Sequence, residues 1–182
     1  MVIKVVLLSK ACIVGAYQRK LEELAAQPGI ALSVIVPPYW REGKRRLPLE
    51  RAHTQGYELI VAPMLLNGSF HAHFYPTFLA QLRRLRPDPV HIDEEPYNLA
   101  TWLALRSAKA AGARALFFTW QNLLRRYPVP FRQMETWVYA HSDGALAGSQ
   151  AAAEVLRSKG YSGPVGVIPQ FGVDPEAYRP AE

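Results

Sequence analysis

The sequence predicts an α/β fold: a Rossmann-like parallel sheet of about six to seven strands with helices on both faces. Short β-branched or apolar runs alternate with amphipathic segments almost from end to end. The run Ala115-Leu-Phe-Phe118 is continuously apolar, as a strand buried on both faces must be. Pro28-Gly29 and Pro37-Pro38 fall between segments, where a chain has to stop one element and begin another.

Residues 2–8 read as a first strand. Residues 17–27 follow as a helix with Leu21, Leu24 and Ala25 at helical spacing, closed by Pro28-Gly29. Residues 30–36 are a second strand, and the basic stretch 39–49, whose charges have no apolar period, reads as a loop. Residues 58–62 are a third strand, 64–74 are irregular with a turn at Asn67-Gly68, and 76–85 form a helix with Phe78, Leu79 and Leu82 inward. The fourth strand, 90–92, leads into a helix over 96–111 with Pro96 in its first turn and Gly112 as its C-cap. Residues 114–119 are the fifth strand, and 131–141 a helix with Met134, Trp137 and Val138 on one face. Residues 144–147 are the sixth strand, Ser149 caps a helix over 150–158, and 165–168 are the last strand. Repeated β-α-β succession requires right-handed crossovers and hence parallel pairing. One domain over 1–168 is expected, with 169–182 as a linker.

At 182 residues the chain has room for one well-packed domain. The single cysteine, Cys12, excludes an intramolecular disulfide and fits a reducing cytoplasm. No apolar run approaches the roughly 20 residues that span a bilayer. The net charge is +6, carried visibly by Lys44-Arg45-Arg46, Arg83-Arg84, Arg86 and Arg125-Arg126. Such clusters suit phosphates or anionic headgroups, but they are scattered and not interleaved with aromatics, which argues against a nucleic-acid surface.

Two segments carry candidate chemistry. In His91-Ile-Asp-Glu-Glu-Pro-Tyr-Asn98 three carboxylates stand between a strand's carboxyl end and a helix's amino end, the edge where open α/β sheets bind ligands. The helix dipole there favours ionised carboxylates, so they suit accepting hydroxyl hydrogen bonds; helix capping by solvated acids is the plainer alternative. In Thr119-Trp-Gln-Asn122, one strand along, Trp120 offers a flat apolar face, and Gln121 and Asn122 each offer a donor and an acceptor to a polyol. The alternative is a helix capped by Asn122 with Trp120 in the core.

Other positions argue against common chemistries. The loop 9–16 holds one glycine, Gly15, too few for a dinucleotide pyrophosphate. Cys12 suits a small buried thiol better than a reactive one. His71 and His73 lack a third ligand nearby in sequence, so no metal is expected, and His91 follows strand alternation as a packed residue.

Taken together, these residues resemble the amino-terminal domain of the family 4 retaining glycosyltransferases, which have the GT-B fold. The matching pieces are Pro87-Asp-Pro-Val-His-Ile-Asp-Glu-Glu-Pro-Tyr97, Phe117-Phe-Thr-Trp-Gln-Asn122, Ser142-Asp-Gly-Ala-Leu-Ala-Gly-Ser149 and Gly160 to Asp174 followed by Tyr178-Arg-Pro180. Their order and spacing cover essentially the whole chain.

The resemblance implies the acceptor-binding half of a two-domain enzyme that transfers a sugar with retention from a nucleotide-sugar donor substrate, with no metal or other cofactor. It implies that Glu94 or Glu95, together with Gln121, orients the acceptor hydroxyl, that Trp120 and Asn122 shape the pocket, and that Gly15 lies near the donor phosphate. No catalytic residue is assigned. The expected partners are the nucleotide sugar, the acceptor and a carboxy-terminal domain of the same polypeptide. A cytoplasmic location is expected, with a peripheral membrane contact through residues 44–46 and 83–86 as a further expectation. Two departures stand out: Gln121 occupies a position where many members have histidine, and Gly15 is single where members often have paired glycines. A stand-alone, non-catalytic α/β module binding a polar or anionic ligand is the rival reading.

Overall fold

The computed structural model describes residues 2–172. Most of the expected linker, 173–182, with the resemblance motif at Asp174 and 178–180, lies outside the described residues. The strands are β1 (Ile3–Leu8), β2 (Ile30–Val36), β3 (Tyr39–Glu42), β4 (Arg45–Pro48), β5 (Glu58–Val61), β6 (Pro89–Ile92), β7 (Arg114–Thr119), β8 (Gly144–Ala147) and β9 (Val165–Val167). The helices are α1 (Arg19–Ala25), α2 (Phe78–Leu85), α3 (Leu99–Ala110), α4 (Phe131–His141) and α5 (Gln150–Ser158).

Seven strands form one sheet in the order β5-β2-β1-β6-β7-β8-β9, every pair parallel. The chain winds outward from β1 to β5, crosses back, and winds outward again from β6. The switch point therefore lies between the carboxyl ends of β1 and β6, where crossovers diverge and leave a crevice.

Strand alternation divides the core in two. Leu7, Leu32, Val34 and Val36 face Cys12, Ile13 and Leu21 on one side of the sheet. Val6, Leu8, Val90, Ile92, Ala115 and Phe117 face α2 to α5 on the other. Each fully buried Leu, such as Leu21 or Leu82, contributes about 2 kcal/mol by leaving water. Helix α5 starts where its cap requires: the Ser149 hydroxyl accepts the Ala152 amide at 3.2 Å, an interaction typically worth about 1 kcal/mol.

Three boundaries differ from the sequence reading. The stretch 39–49 is a β-hairpin rather than a loop. Gly43 has φ +58° in its two-residue turn, and Trp40 stands opposite Leu47, both packed on the β2 side of the sheet. The apolar pair was masked by the arginines between. The helix expected over 17–27 starts as a tighter 3₁₀ turn, Gly15–Gln18, and becomes α-helical at Arg19. The helix after β6 begins at Leu99 rather than Pro96, so its first turn contains no acidic residue.

Candidate active site at the carboxyl ends of β1, β6 and β7

The three consecutive carboxylates after β6 diverge. Asp93 receives the Ser9 hydroxyl at 2.8 Å, Lys20 Nζ at 3.3 Å and Gln170 Nε2 at 2.7 Å. Glu94 is buried and paired with Lys10 Nζ, with His73 Nε2 3.5 Å away. Burial alone would raise its pKa, but the Lys10 and His73 charges and hydrogen bonds outweigh it and bring the carboxyl down to about 2. Lys10 belongs to the loop after β1, and its Nζ lies 5.0 Å from the centre of the Phe70 ring. His73 is itself wholly buried, with Nδ1 3.0 Å from the Ser69 carbonyl.

Glu95 turns the other way, toward β7. It accepts the Thr119 hydroxyl at 2.6 Å and the Trp120 amide at 2.8 Å. Its carbonyl accepts Thr101 Oγ1 at 2.6 Å. Here burial wins over those bonds and the carboxyl is raised above its ordinary range. The expectation that a helix dipole holds this group ionised is corrected: Glu95 lies ahead of α3 rather than in its first turn, and desolvation governs it.

Glu95, Trp120, Gln121 and Asn122 line one hollow of about 250 Å³ together with Tyr97, Arg125 and Tyr127. Tyr97 and Tyr127 stack with ring centres 4.0 Å apart and form its aromatic wall. Trp120 is 45% exposed and no helix starts at Asn122, so the capped-helix alternative does not apply. Gly148 makes the Trp120 position accessible, since a Cβ there would lie 2.6 Å from the indole ring. Trp120 Nε1 donates to Gln170, whose amide nitrogen donates to Asp93, so residue 170 links the tips of β6 and β7.

Gln121 is more constrained than a free polyol ligand. Its carbonyl accepts Lys159 Nζ at 2.9 Å, and Lys159 also meets buried Glu135 at 2.5 Å. The Gln121 amide nitrogen reaches the Tyr127 hydroxyl only at 3.4 Å, which leaves that end free for a better acceptor. Asn122 is exposed. Glu94 is adjacent in sequence to the hollow but does not line it.

Gly15 sits apart from this hollow. Its amide donates to Glu50 Oε2 at 2.5 Å, and a Cβ would come within 2.8 Å of the Ala52 Cβ. The glycine is thus required for packing, and the chain's own carboxylate engages the amide.

A second cavity, about 340 Å³, lies beside α1 between Leu21, Leu24, Phe118, Leu146 and Ile168, with Lys20, His91, Asp93 and Gln170 at its polar end. Burial, partly opposed by Asp93, lowers the His91 imidazole to about 4. Cys12 is buried and pushed up to about 11 by desolvation, against the opposing Lys20 charge, so its thiol is a packing group. Among the described residues no set of three or more His, Cys, Asp or Glu side chains is arranged to hold a metal ion.

The sequence reading missed Lys10, His73, Lys159 and Gln170 as members of these networks. Lys10, His73 and Lys159 carry no periodic or motif signal, and Gln170 stands in the matching stretch Gly160 to Asp174 without a role assigned to it; their partners, brought from 84, 21, 38 and 77 positions away, disclose them.

A family model described as Glycosyltransferase Family 4 matches residues 15–177. No curated protein sequence matches the chain significantly. Among solved structures, sucrose-phosphate synthase from Thermosynechococcus elongatus is similar with a TM-score of 0.64 and 14% identity, covering 98% of this chain and 50% of that one. A UDP-N-acetylglucosamine 2-epimerase is similar with a TM-score of 0.57 and 16% identity, over 92% of this chain and 48% of that one. UGT89C1 of Arabidopsis thaliana, complexed with UDP, is similar with a TM-score of 0.56 and 11% identity, over 97% of this chain and 55% of that one. The chain therefore spans about half the length of the solved structures it resembles. At these identities the likeness concerns the fold.

Proposed function

The chain belongs to glycosyltransferase family 4, and on that premise we propose that it is the acceptor-binding half of a retaining transferase that uses a nucleotide-sugar donor. The observation that carries this reading is the hollow between the tips of β6 and β7, with its aromatic wall and its amide and carboxylate groups. Aromatic faces and paired donors and acceptors are what a sugar ring requires. The acceptor ring lies against Trp120 or the Tyr97–Tyr127 wall, with the free amide ends of Asn122 and Gln121 on its hydroxyls. Glu95 has lone pairs left after bonding Thr119 and Trp120, and its raised proton affinity makes it a stronger acceptor for the reacting hydroxyl.

In front-face retaining transfer the leaving phosphate can itself take the acceptor proton, so no strong protein base is required on this side. Stabilisation of that phosphate then dominates the barrier and comes largely from a second domain of the polypeptide. The donor is of the uridine-diphosphate class named for the UGT89C1 complex. Its phosphate reaches the Gly15 amide only if the Glu50 carboxylate leaves it. No resident cofactor or metal enters the scheme, and a cytoplasmic location belongs to it.

Saturation-transfer NMR of simple sugars on this chain tests the acceptor site, and radiolabelled transfer by the polypeptide carrying both domains tests the reaction. Sugar contact should vanish in Trp120→Ala and Asn122→Ala, and turnover should fall in Glu95→Gln. Sugar binding that survives both pocket substitutions would overturn the site. Binding without any transfer by the two-domain polypeptide would favour a non-catalytic module.

A further inference from the structure

Two loops leaving the carboxyl ends of β5 and β7 place apolar side chains in solvent. Leu65, Leu66, Phe70, Leu123, Leu124 and Val129 are each about half exposed or more. The loops touch: the His71 ring lies 5.8 Å from Tyr127 and 5.2 Å from Phe131. Leu66 adopts φ +51°, a left-handed conformation costly for a branched side chain, so the surrounding structure holds it there. Asn67 then ties this loop to the β3–β4 hairpin, accepting the Arg41 amide at 2.9 Å and donating to the Tyr39 carbonyl at 2.8 Å.

Charge accompanies the apolar groups. The hairpin carries Arg41, Lys44, Arg45 and Arg46 against one acid, Glu42, and the β7 loop carries Arg125 and Arg126. Residues 62–77 and 120–134 contain no aspartate or glutamate. An isolated apolar patch would suit many partners; apolar tips set among cations without acids match a surface that is greasy within and negatively charged at its boundary. We propose that this carboxyl-edge rim docks on an anionic lipid bilayer, with Leu65, Leu66, Leu123 and Leu124 entering the headgroup boundary and the arginines meeting lipid phosphates. The crevice between β6 and β7 then opens beside the membrane, where a lipid-borne acceptor is presented.

The location differs from the membrane contact expected of residues 44–46 and 83–86 together. Arg84 pairs with Glu58 at the amino end of β5, and Arg86 ends α2 just before β6 begins, so that cluster lies at the opposite sheet edge. Only the hairpin half of the expectation joins the rim.

Flotation with phosphatidylcholine vesicles, with and without phosphatidylglycerol, tests the proposal without any donor or acceptor, so its outcome is separate from that of the transferase reading. The chain should float only with the anionic vesicles, and binding should fall about fivefold for each surface cation neutralised. Lys44→Glu/Arg45→Glu/Arg126→Glu should release it, Leu123→Ser/Leu124→Ser should weaken it, and Arg83→Glu/Arg86→Glu should leave it unchanged. Circular dichroism confirms that each variant is folded. Failure to float with anionic vesicles overturns the proposal, as does release by the Arg83/Arg86 variant while the rim variants still bind.

Discussion

The tips of β1 and β6 and the tips of β6 and β7 are neighbouring gaps in one sheet edge, yet they hold carboxylates in opposite conditions. In the first gap Glu94 is enclosed with Lys10 and His73, and Asp93 with Ser9, Lys20 and Gln170. In the second, Glu95 has only neutral donors, Thr119 and the Trp120 amide, and borders an open hollow. The neighbours decide the difference. The loop after β1 and helix α1 pair the first gap's carboxylates with cations, whereas the end of β7 and the loop after it give Glu95 a hydroxyl, an amide and aromatic neighbours. A buried carboxylate with its own cation holds the fold; one without a cation remains available to a ligand.

The largest test of this contrast is Lys10→Ala, which leaves Glu94 buried with His73 and the distant amide of residue 10, without its ammonium partner. Removing one partner of a buried ion pair should cost about 3–5 kcal/mol in urea unfolding. A cost no greater than that of a surface substitution would erase the contrast.

Acid titration follows. Glu94 falls from 4.5 to about 2 on folding, so it stabilises the fold fully above pH 4.5. That contribution, on the order of 3 kcal/mol, is lost as the pH drops toward 2. Glu94→Gln should flatten the stability curve over that window. His91, lowered from 6.5 to about 4, acts in a higher window: the folded state resists the proton that the unfolded chain binds, so stability declines as pH falls from 6.5 toward 4. Its imidazole should titrate near 4 by NMR, and a midpoint above 6 would show it solvated.

Smaller effects belong to the second gap. Glu95→Gln keeps one acceptor oxygen for the Trp120 amide and turns an amide nitrogen toward the Thr119 hydroxyl, which must then accept instead of donate; it should cost about 1 kcal/mol while reducing turnover of the proposed two-domain transferase. Asn122→Ala should stay within about 0.5 kcal/mol of the parent protein and yet lose sugar binding. A stability loss as large as that of Lys10→Ala would make Asn122 a structural group.

The two gaps were not equally legible beforehand. Glu95, Trp120, Gln121 and Asn122 could be grouped because each closely follows a strand, and parallel strands place such residues at one edge. Glu94 seemed equivalent to Glu95, because sequence adjacency carries no information about which way consecutive side chains turn once the strand has ended. The hairpin over 39–48 was hidden because Trp40 and Leu47 are separated by arginines. Gln121 read as a free polyol ligand because Lys159, which holds its carbonyl, is 38 residues away.

By itself the sequence determined the parallel sheet, the order of its elements and the edge at which its polar groups gather. Those follow from hydrophobic period, breakers and caps, which act over a few residues. Which carboxylate is neutralised, which glutamine is pinned and which apolar tips remain in solvent were decided only by tertiary structure. Burial and ion pairing depend on groups delivered by distant segments, and desolvation makes the proximity of a single cation worth several kcal/mol.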